Sequence, residues 1–373
     1  MSPSVQIVLI CAVTAAACAL VGTFLVLRQQ AMLADAISHA ILPGIVVAFF
    51  VTESLASPLL VLAAAATGVL AVALIEALGN TRRVKSDAAI GLVFPVLFSL
   101  GVVLIARFAG DVHLDTDAVL LGEPAFAWIE RFRVGGADLG PQALWLMGAL
   151  LALDALFVFL LFKELKLATF DPALAAALGF APGVLHYALV GLVSLTAVGA
   201  FDVVGSVLVV ALIVGPAAAA WLLTDRLPVM LGLAVALGVA AAVLGYGAAR
   251  TFDVSIAGSM ATMVGVLFAL VYALAPERGL VAQARRQTRQ RAEFARRMLA
   301  VHLLHHERTP EAERECRVSH LEEHLRWAAD YAAFAVRAAE RAGTVRRAGD
   351  HLALTDDGRR YAQAAMLEDE VPA

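Results

Sequence analysis

Hydrophobic positions run along this chain in long, nearly unbroken blocks rather than in the alternating or one-faced patterns of soluble elements. A helix of about 20 apolar residues is long enough to cross a bilayer. The pattern predicts about nine such spans. They lie near residues 5–27, 31–52, 58–79, 88–108, 141–162, 183–200, 203–223, 229–249 and 256–275.

The composition supports a membrane location. Hydrophobic residues make up 61% of the chain and charged residues 16%, whereas soluble domains average roughly 45–50% and about 25%. Arginine and acidic residues become dense only after the last span. We therefore predict an all-α polytopic membrane protein with a transmembrane domain over 1–276 and a cytoplasmic, winged-helix-like α+β domain over 277–373. The three cysteines lack the spacing of zinc or redox motifs, which favours a packing role.

Basic residues between the spans predict the orientation. Under strict alternation one side carries the richer set, and we assign it to the cytoplasm: Arg28, Arg82, Arg83, Lys85, Lys163, Lys166, Arg226 and the arginine-rich tail. The N-terminus is then outside and the C-terminus inside. The first segment has no positively charged start, which favours an uncleaved helix over a signal peptide.

The second span, AMLADAISHAILPGIVVAFF, places ionisable residues where hydrocarbon is expected. Asp35 and His39 are four residues apart and so share one helix face. Pro43, another four residues on, lacks an N–H and frees a carbonyl, so that Pro43 and Gly44 predict a helix break. A carboxylate, an imidazole and a carbonyl form a ligand set for a first-row divalent metal. The alternative is a structural ion pair that joins helices.

Two side chains do not complete a metal site, so other segments must contribute. Asp202, in AFDVVGSVLVV, is a candidate third oxygen ligand or gate residue; a helix N-cap at the membrane surface is the interpretation we prefer. The long external segment 109–140 contains acids and a histidine that can line an entrance for cations. These are His113, Asp115, Asp117 and Glu123. A solvated interfacial segment is the alternative.

A short helix is predicted between the fifth and sixth spans, on the cytoplasmic side. Asp171 and Pro172 have the residue types of an N-cap and first helical position, and Gly179 is a plausible C-cap. The helix is too short to cross the membrane. It presents Leu174 and Leu178 at helical spacing, which suits docking into the groove of a partner. An ordinary amphipathic connector is the alternative.

The tail begins with an arginine-rich helix, and helical patterning continues through SHLEEHLRWAADYAAFAVRAAERAG. Two short β-like runs, TVRR and HLALT, then flank a tight turn at Ala348-Gly349-Asp350, and Asp-Asp-Gly opens a last helix. This order suggests a winged-helix domain. The histidine pairs His302/His306 and His320/His324 have a spacing that can chelate a metal, although solvated helix faces are the interpretation we prefer.

Four segments together resemble the permease subunit of ATP-binding-cassette importers for manganese, zinc and iron. They are LADAISHAILPGI, VKSDAAIGLVFPVLFSLGVVLI, LATFDPALAAALGF and VGSVLVVALIVGPAAAAWLLT, and the resemblance covers residues 20–275. It implies a transported divalent ion rather than a bound cofactor, with Asp35 and His39 on the metal pathway. The tail is similar to the winged-helix extension of some manganese or iron permeases. This similarity favours manganese as the transported metal.

The resemblance also implies partners in a bacterial cytoplasmic membrane. These are a second permease copy, cytoplasmic ATPase subunits that contact Asp171–Gly179, an extracytoplasmic metal-binding protein and membrane lipid. ATP would be hydrolysed elsewhere, because no lysine of this chain follows a G-x-x-x-x-G run. The protein is therefore not expected to be an enzyme.

Two rival functions remain open at this stage. One is a membrane-tethered, metal-responsive regulator that uses the tail. Mixed acidic and basic residues where a recognition helix belongs make nucleic-acid binding a poor expectation. The other is a passive channel or ion-coupled carrier, which the short cytoplasmic helix disfavours.

Overall fold

The computed structural model describes residues 2–52, 58–81, 83–108, 124–134 and 137–369. These residues form two compact units, one ending at Gly279 and the other beginning at Leu280. The division falls close to the change in composition from apolar to charged sequence.

The first unit is almost entirely helical. In chain order its elements are α1 (Pro3–Leu27), α2 (Met32–Ala40), α3 (Leu42–Thr52), α4 (Pro58–Asn80), α5 (Ser86–Phe108), β1 (Arg131–Val134), β2 (Ala137–Pro141), α6 (Gln142–Leu160), α7 (Phe162–Phe170), α8 (Pro172–Ala177), α9 (Pro182–Val204), α10 (Ser206–Leu223), α11 (Leu227–Phe252) and α12 (Ile256–Leu274).

Within the described residues, nine helical stretches are long and apolar enough to cross a membrane, with α2 and α3 counted as one. The structure thus confirms a mostly helical polytopic membrane protein with about nine apolar helices. The first and sixth spans are the most buried, at 72% and 67%, whereas the fourth and ninth are only 17% buried. The weakly buried spans therefore offer their apolar surfaces to lipid or to another subunit.

Helix α1 lies at the centre of this unit and packs against α10 and α11. Small residues allow the backbones to approach closely. A Cβ added at Gly22 would lie 1.9 Å from the main-chain oxygen of Ile213, and one at Gly245 would lie 2.5 Å from the Cα of Met260. Close packing at small residues is the usual way in which membrane helices associate, because burial from water cannot drive it.

Part of the segment predicted to be external forms an antiparallel hairpin of β1 and β2. Arg131 binds Asp138 across it, with Nη2 and Oδ2 2.7 Å apart. This hydrogen-bonded cation lowers the pKa of the Asp138 carboxyl. His113, Asp115, Asp117 and Glu123 lie outside the described residues, so the entrance remains a prediction.

The second unit contains helices around a small hairpin. Its elements are α13 (Leu280–His306), α14 (Ala312–Glu315), α15 (Val318–His324), α16 (Ala329–Arg341), β3 (Val345–Ala348), β4 (His351–Leu354) and α17 (Asp356–Asp369). Its core is formed by apolar residues of α13, α15, α16 and the hairpin, with Leu299, Leu303, Leu321, Val336 and Leu352 among them.

The predicted hairpin of the tail is present. Its strands pair from Val345 with Leu354 to Ala348 with His351, and Gly349 adopts a φ of 65° in the turn. The continuous helical pattern predicted before it is wrong at one place, because the helix is interrupted between α15 and α16. There Arg326 has a φ of 51°, a backbone conformation that an α-helix cannot contain.

Candidate metal pathway

Asp35 and His39 lie on one face of α2, as the spacing predicts. Oδ1 of Asp35 and Nε2 of His39 are 3.5 Å apart, and their side chains are 42% and 30% exposed. The residues that flank them on α2, such as Ala34 and Ser38, are buried. The charged stripe therefore faces away from the packed interior of this chain, at a position within a membrane-spanning segment.

Two aromatic rings of α5 border the histidine. The ring centroids of Phe94 and Phe98 lie 6.0 and 6.1 Å from that of His39. Phe98 meets the imidazole edge-on, a favourable aromatic arrangement. The two rings thus border the imidazole on the α5 side, while its Nε2 faces Oδ1 of Asp35.

The second span is interrupted just before Pro43 and Gly44, the residues predicted to break it, although Ile41 at the interruption keeps a helical φ of −74° and ψ of −16°. Helix α2 ends before Ile41, which forms a turn, and Pro43 lies in the first turn of α3, where its missing N–H is tolerated. Gly44 is helical. A Cβ at Gly44 would lie 2.1 Å from Oγ1 of Thr67 and 2.6 Å from the main-chain oxygen of Ala63, so Gly44 lets α3 approach α4.

Asp202 does not cap a helix, and this interpretation is wrong. The sixth span continues to Val204, and Asp202 lies in its last turn. The helix ends at Gly205, whose φ of 79° interrupts the helical backbone, and Gly205 is itself the N-cap of α10. If each span crosses the membrane in turn, Asp202 lies about 20 Å further along the membrane normal than His39, at about 1.5 Å per residue.

A polar cavity of about 430 Å³ lies where α2 begins. It is lined by residues from the ends of four segments, namely Gln29, Gln30, Met32, Leu33, Ile75, Glu76, Gly79, Asn80, Asp87 and Ile90. Glu76 and Asp87 give it two carboxylates. The cavity is therefore acidic, and it borders α2 about one helical turn before Asp35.

Glu76 belongs to a hydrogen-bonded network that sequence reasoning missed. Its carboxylate lies 2.6 Å from Nε2 of His186 and accepts a hydrogen bond of 2.7 Å from the Tyr187 hydroxyl. Arg28 contacts Nδ1 of the same histidine at 3.1 Å and donates to Oγ1 of Thr169 at 3.2 Å. Burial of the Arg28 guanidinium lowers its pKa. The network joins the ends of α1, α4, α7 and α9.

Thr169 is followed directly by the predicted docking helix. The main-chain N–H of Leu174 donates to Oδ1 of Asp171 at 2.9 Å, as expected of an N-cap, and Pro172 begins α8. Gly179 follows the helix with a φ of 87°. Leu174 and Leu178 are exposed, as are Phe170 and Phe180 on either side. This apolar surface, formed by Phe170, Leu174, Leu178 and Phe180, is called the α8 surface below.

A second intramembrane acid was also missed. Asp154, in α6, is fully buried and accepts a hydrogen bond from the Thr196 hydroxyl at 3.0–3.1 Å. The signal was available, because Asp154 is the one ionisable residue in the block QALWLMGALLALDALFVFL. It does not border the cavity at the start of α2.

The fold and the site define a class: a polytopic membrane protein with an ionisable pair set into one span and a capped, exposed helix between two others. Its family follows from comparison with known proteins. The chain belongs to the ABC 3 transport family, whose profile matches residues 3–275.

Named relatives are similar over most of their length. The chain is 48% identical over 363 residues to the zinc transport system membrane protein TroD of Treponema pallidum, covering 97% of this chain and 99% of TroD. It is 46% identical over 278 residues to the manganese transport system membrane protein MntD of Bacillus subtilis, covering 74% of this chain and 94% of MntD. The TroD match thus extends into the second unit, beyond the family profile.

A solved structure is also similar. A chain of PsaBC from Streptococcus pneumoniae, in complex with Fab, matches with a TM-score of 0.61 and 28% identity, covering 73% of this chain and 92% of that one. The membrane unit therefore shares its fold with that chain.

Proposed function

We propose that this chain is the membrane-spanning subunit of an ATP-driven importer for a divalent transition metal, and that Asp35 and His39 bind the ion on its path. The observation that carries the site assignment is their exposure: both side chains leave the packed interior in the first half of an apolar span, with Asp35 in its first turn. A charged side chain facing lipid costs up to about 2.5–3.5 kcal/mol, the value on insertion scales for the centre of a helix. Something other than lipid must therefore cover this face.

A second permease copy satisfies this requirement. One Asp35 and one His39 supply two ligands, whereas first-row ions take four to six in total. A two-fold related copy doubles the set to two carboxylates and two imidazoles around one axis. The similarity to PsaBC supports a permease pair, and the weakly buried fourth span, which carries Phe94 and Phe98, lies beside the pair.

The transport path continues from the pair into the cavity at the start of α2. Glu76 and Asp87 would attract the released cation there, on the side that the positive-inside rule assigns to the cytoplasm. The N-terminus is then extracytoplasmic and the second unit cytoplasmic, in a bacterial cytoplasmic membrane. We propose that Asp202, near the opposite end of the bundle, acts at the outer mouth rather than as a ligand beside His39.

Energy would come from separate ATPase subunits that dock on the α8 surface. Asp171, Pro172 and Gly179 fix this short helix, while Leu174 and Leu178 present the apolar contacts. Family membership implies both the ATPase and an extracytoplasmic protein that delivers the metal. The contacts of Arg28 with Thr169 and His186 give a direct path from this surface to the carboxylate of Glu76.

Manganese and zinc are the foremost candidates for the ion, since relatives are named for each, and iron has the same ligand preferences. The tail no longer favours manganese, because TroD, which matches across it, is named for zinc. We keep manganese as the first prediction, since MntD and further relatives carry that name. The tail itself, with helices preceding a hairpin and a last helix, is proposed as a winged-helix-like contact module.

The test is uptake of ⁵⁴Mn, ⁶⁵Zn and ⁵⁵Fe by cells that lack the gene and by cells that carry it on a plasmid. Restored uptake of one of these metals supports an importer and identifies its cargo. Equal uptake of all three in both strains would exclude the proposal. Truncation after residue 279 separates the transport role from a regulator, because a permease keeps at least part of its uptake without the second unit.

A further inference from the structure

We propose that the second unit contains its own site for a divalent transition metal, formed by His302, His306 and Glu315. One ligand atom from each residue can be chosen so that all three lie within 4.8 Å of one another. Ligands of a first-row ion lie about 2.0–2.2 Å from the metal and hence roughly 3–4 Å from each other. Small side-chain rotations are therefore enough to bring the three onto one ion.

The chain folds so that these residues meet. His302 and His306 are one helical turn apart at the end of α13, and their ring centroids are 4.8 Å apart. The chain then turns back through α14, at whose end Glu315 lies. Nε2 of His302 is 3.1 Å from the main-chain oxygen of Glu315, a contact that orients the ring. Second contacts of this kind are usual for metal-binding histidines.

Two of the histidines expected on solvated helix faces, His302 and His320, are instead buried, and His306 is partly buried. His302 and Glu315 are each 7% exposed, and His320, whose Nε2 lies 2.9 Å from Oε2 of Glu315, is 8% exposed. They are surrounded by core residues such as Leu299 and Leu303. A buried carboxylate next to two imidazoles is an arrangement that a divalent cation would stabilise.

The ligand set indicates the class of ion. Two nitrogens and one carboxylate oxygen suit Zn²⁺, Mn²⁺, Fe²⁺ or Co²⁺, whereas Ca²⁺ and Mg²⁺ prefer oxygen alone. Cys316 is adjacent to Glu315 but is not among the three residues whose ligand atoms lie together, so the site is of the imidazole–carboxylate type. His320 acts through Glu315 as a positioning residue.

Cobalt titration of the full-length protein tests this site. The protein is purified without a histidine tag, in detergent, with Asp35→Ala and His39→Ala removing the pathway ligands. Co²⁺ bound per chain is measured by equilibrium dialysis and by its visible absorption. We expect one Co²⁺ per chain in this background. His306→Ala and, separately, the isosteric Glu315→Gln should each weaken its binding at least tenfold.

His305→Ala is the matched control. His305 is exposed on the same helix, with its ring 5.0 Å from that of His306, but it is outside the ligand set; its removal should leave Co²⁺ affinity unchanged. The proposal is overturned if the Asp35→Ala, His39→Ala protein binds no Co²⁺, or if His306→Ala and Glu315→Gln bind it as tightly as their parent. Circular dichroism establishes that each variant is folded. Neither outcome depends on the proposed transport function.

Discussion

Glu76 and His186 form a close contact of 2.6 Å between the third and sixth spans, and this contact lies between the α2 cavity and the segment before α8. His186 also meets Arg28, and Arg28 donates to Thr169, two residues before Asp171. The residues at the two ends of this path have different proposed roles. Glu76 lines the exit cavity, and Thr169 precedes the ATPase-docking helix.

The Glu76–His186 contact should stabilise the folded protein measurably. Both side chains are largely buried, so we expect a coupling energy of about 1 kcal/mol. A double-mutant cycle of Glu76→Gln and His186→Gln, followed by thermal unfolding in detergent, measures it. The buried thiols of Cys11 and Cys18 report unfolding when they react with a maleimide dye. If the two substitutions change the free energy of unfolding in a strictly additive way, the contact contributes nothing to stability.

Gly44→Ala should destabilise the membrane unit by about 1–3 kcal/mol, because the added Cβ would overlap Thr67 and the backbone of Ala63. Gly232→Ala is the control. Gly232 is also in an apolar helix, but a Cβ there meets nothing within 4 Å. It should be neutral or stabilising by up to about 1 kcal/mol. The same dye assay measures the stability of the Gly44→Ala and Gly232→Ala proteins. Equal losses of stability in the two variants would count against the close packing of α3 on α4.

Asp154 and Thr196 should contribute to stability and not to transport. Thr196→Val removes the hydrogen bond to a buried acceptor, and hydrogen bonds between membrane helices average about 0.6 kcal/mol. Asp154→Asn keeps an acceptor oxygen for Thr196, so we expect a folded protein with uptake close to that of the wild type. Loss of metal uptake in a stably folded Asp154→Asn protein would instead place this carboxyl on the ion path.

The α8 surface should be needed for assembly with the ATPase. Leu174→Asp or Leu178→Asp introduces a charge into an apolar contact and should prevent the ATPase from copurifying with the permease. Val254→Asp is the matched control, because Val254 is equally exposed but precedes the ninth span on the proposed external side. If all three variants retain the ATPase, the docking site lies elsewhere.

The membrane spans were predictable because their signal is local. Continuous apolar blocks gave all nine apolar helices within a few residues, and Asp171 with Pro172 gave the start of α8. Pro43 predicted an interruption of the second span, and the helix is interrupted at Ile41, two residues before the proline. Asp202 was predicted to be an N-cap, and this was wrong because the sixth span extends past its apolar block. The helix continues to Val204 and ends at Gly205, whose φ is positive.

Contacts between distant segments could not be predicted from spacing. The Glu76–His186 and Arg28–Thr169 contacts join residues more than 100 positions apart, and no local pattern specifies such pairs. The histidines of the tail are a second case in which spacing did not predict the contacts. The i, i+4 spacing of His302 and His306 was evident, but the burial of His302 and the return of Glu315 to it depend on how α14 folds back.

The most direct test of the account is ⁵⁴Mn and ⁶⁵Zn uptake by Asp35→Ala and His39→Ala cells, with membrane insertion of each variant measured by immunoblot of washed membranes. Asp330→Ala and His305→Ala, exposed residues of the same types in the second unit, are the controls. We predict that Asp35→Ala and His39→Ala each abolish uptake while the controls retain it. Wild-type uptake in both the Asp35→Ala and His39→Ala cells would contradict the assignment of the metal pathway.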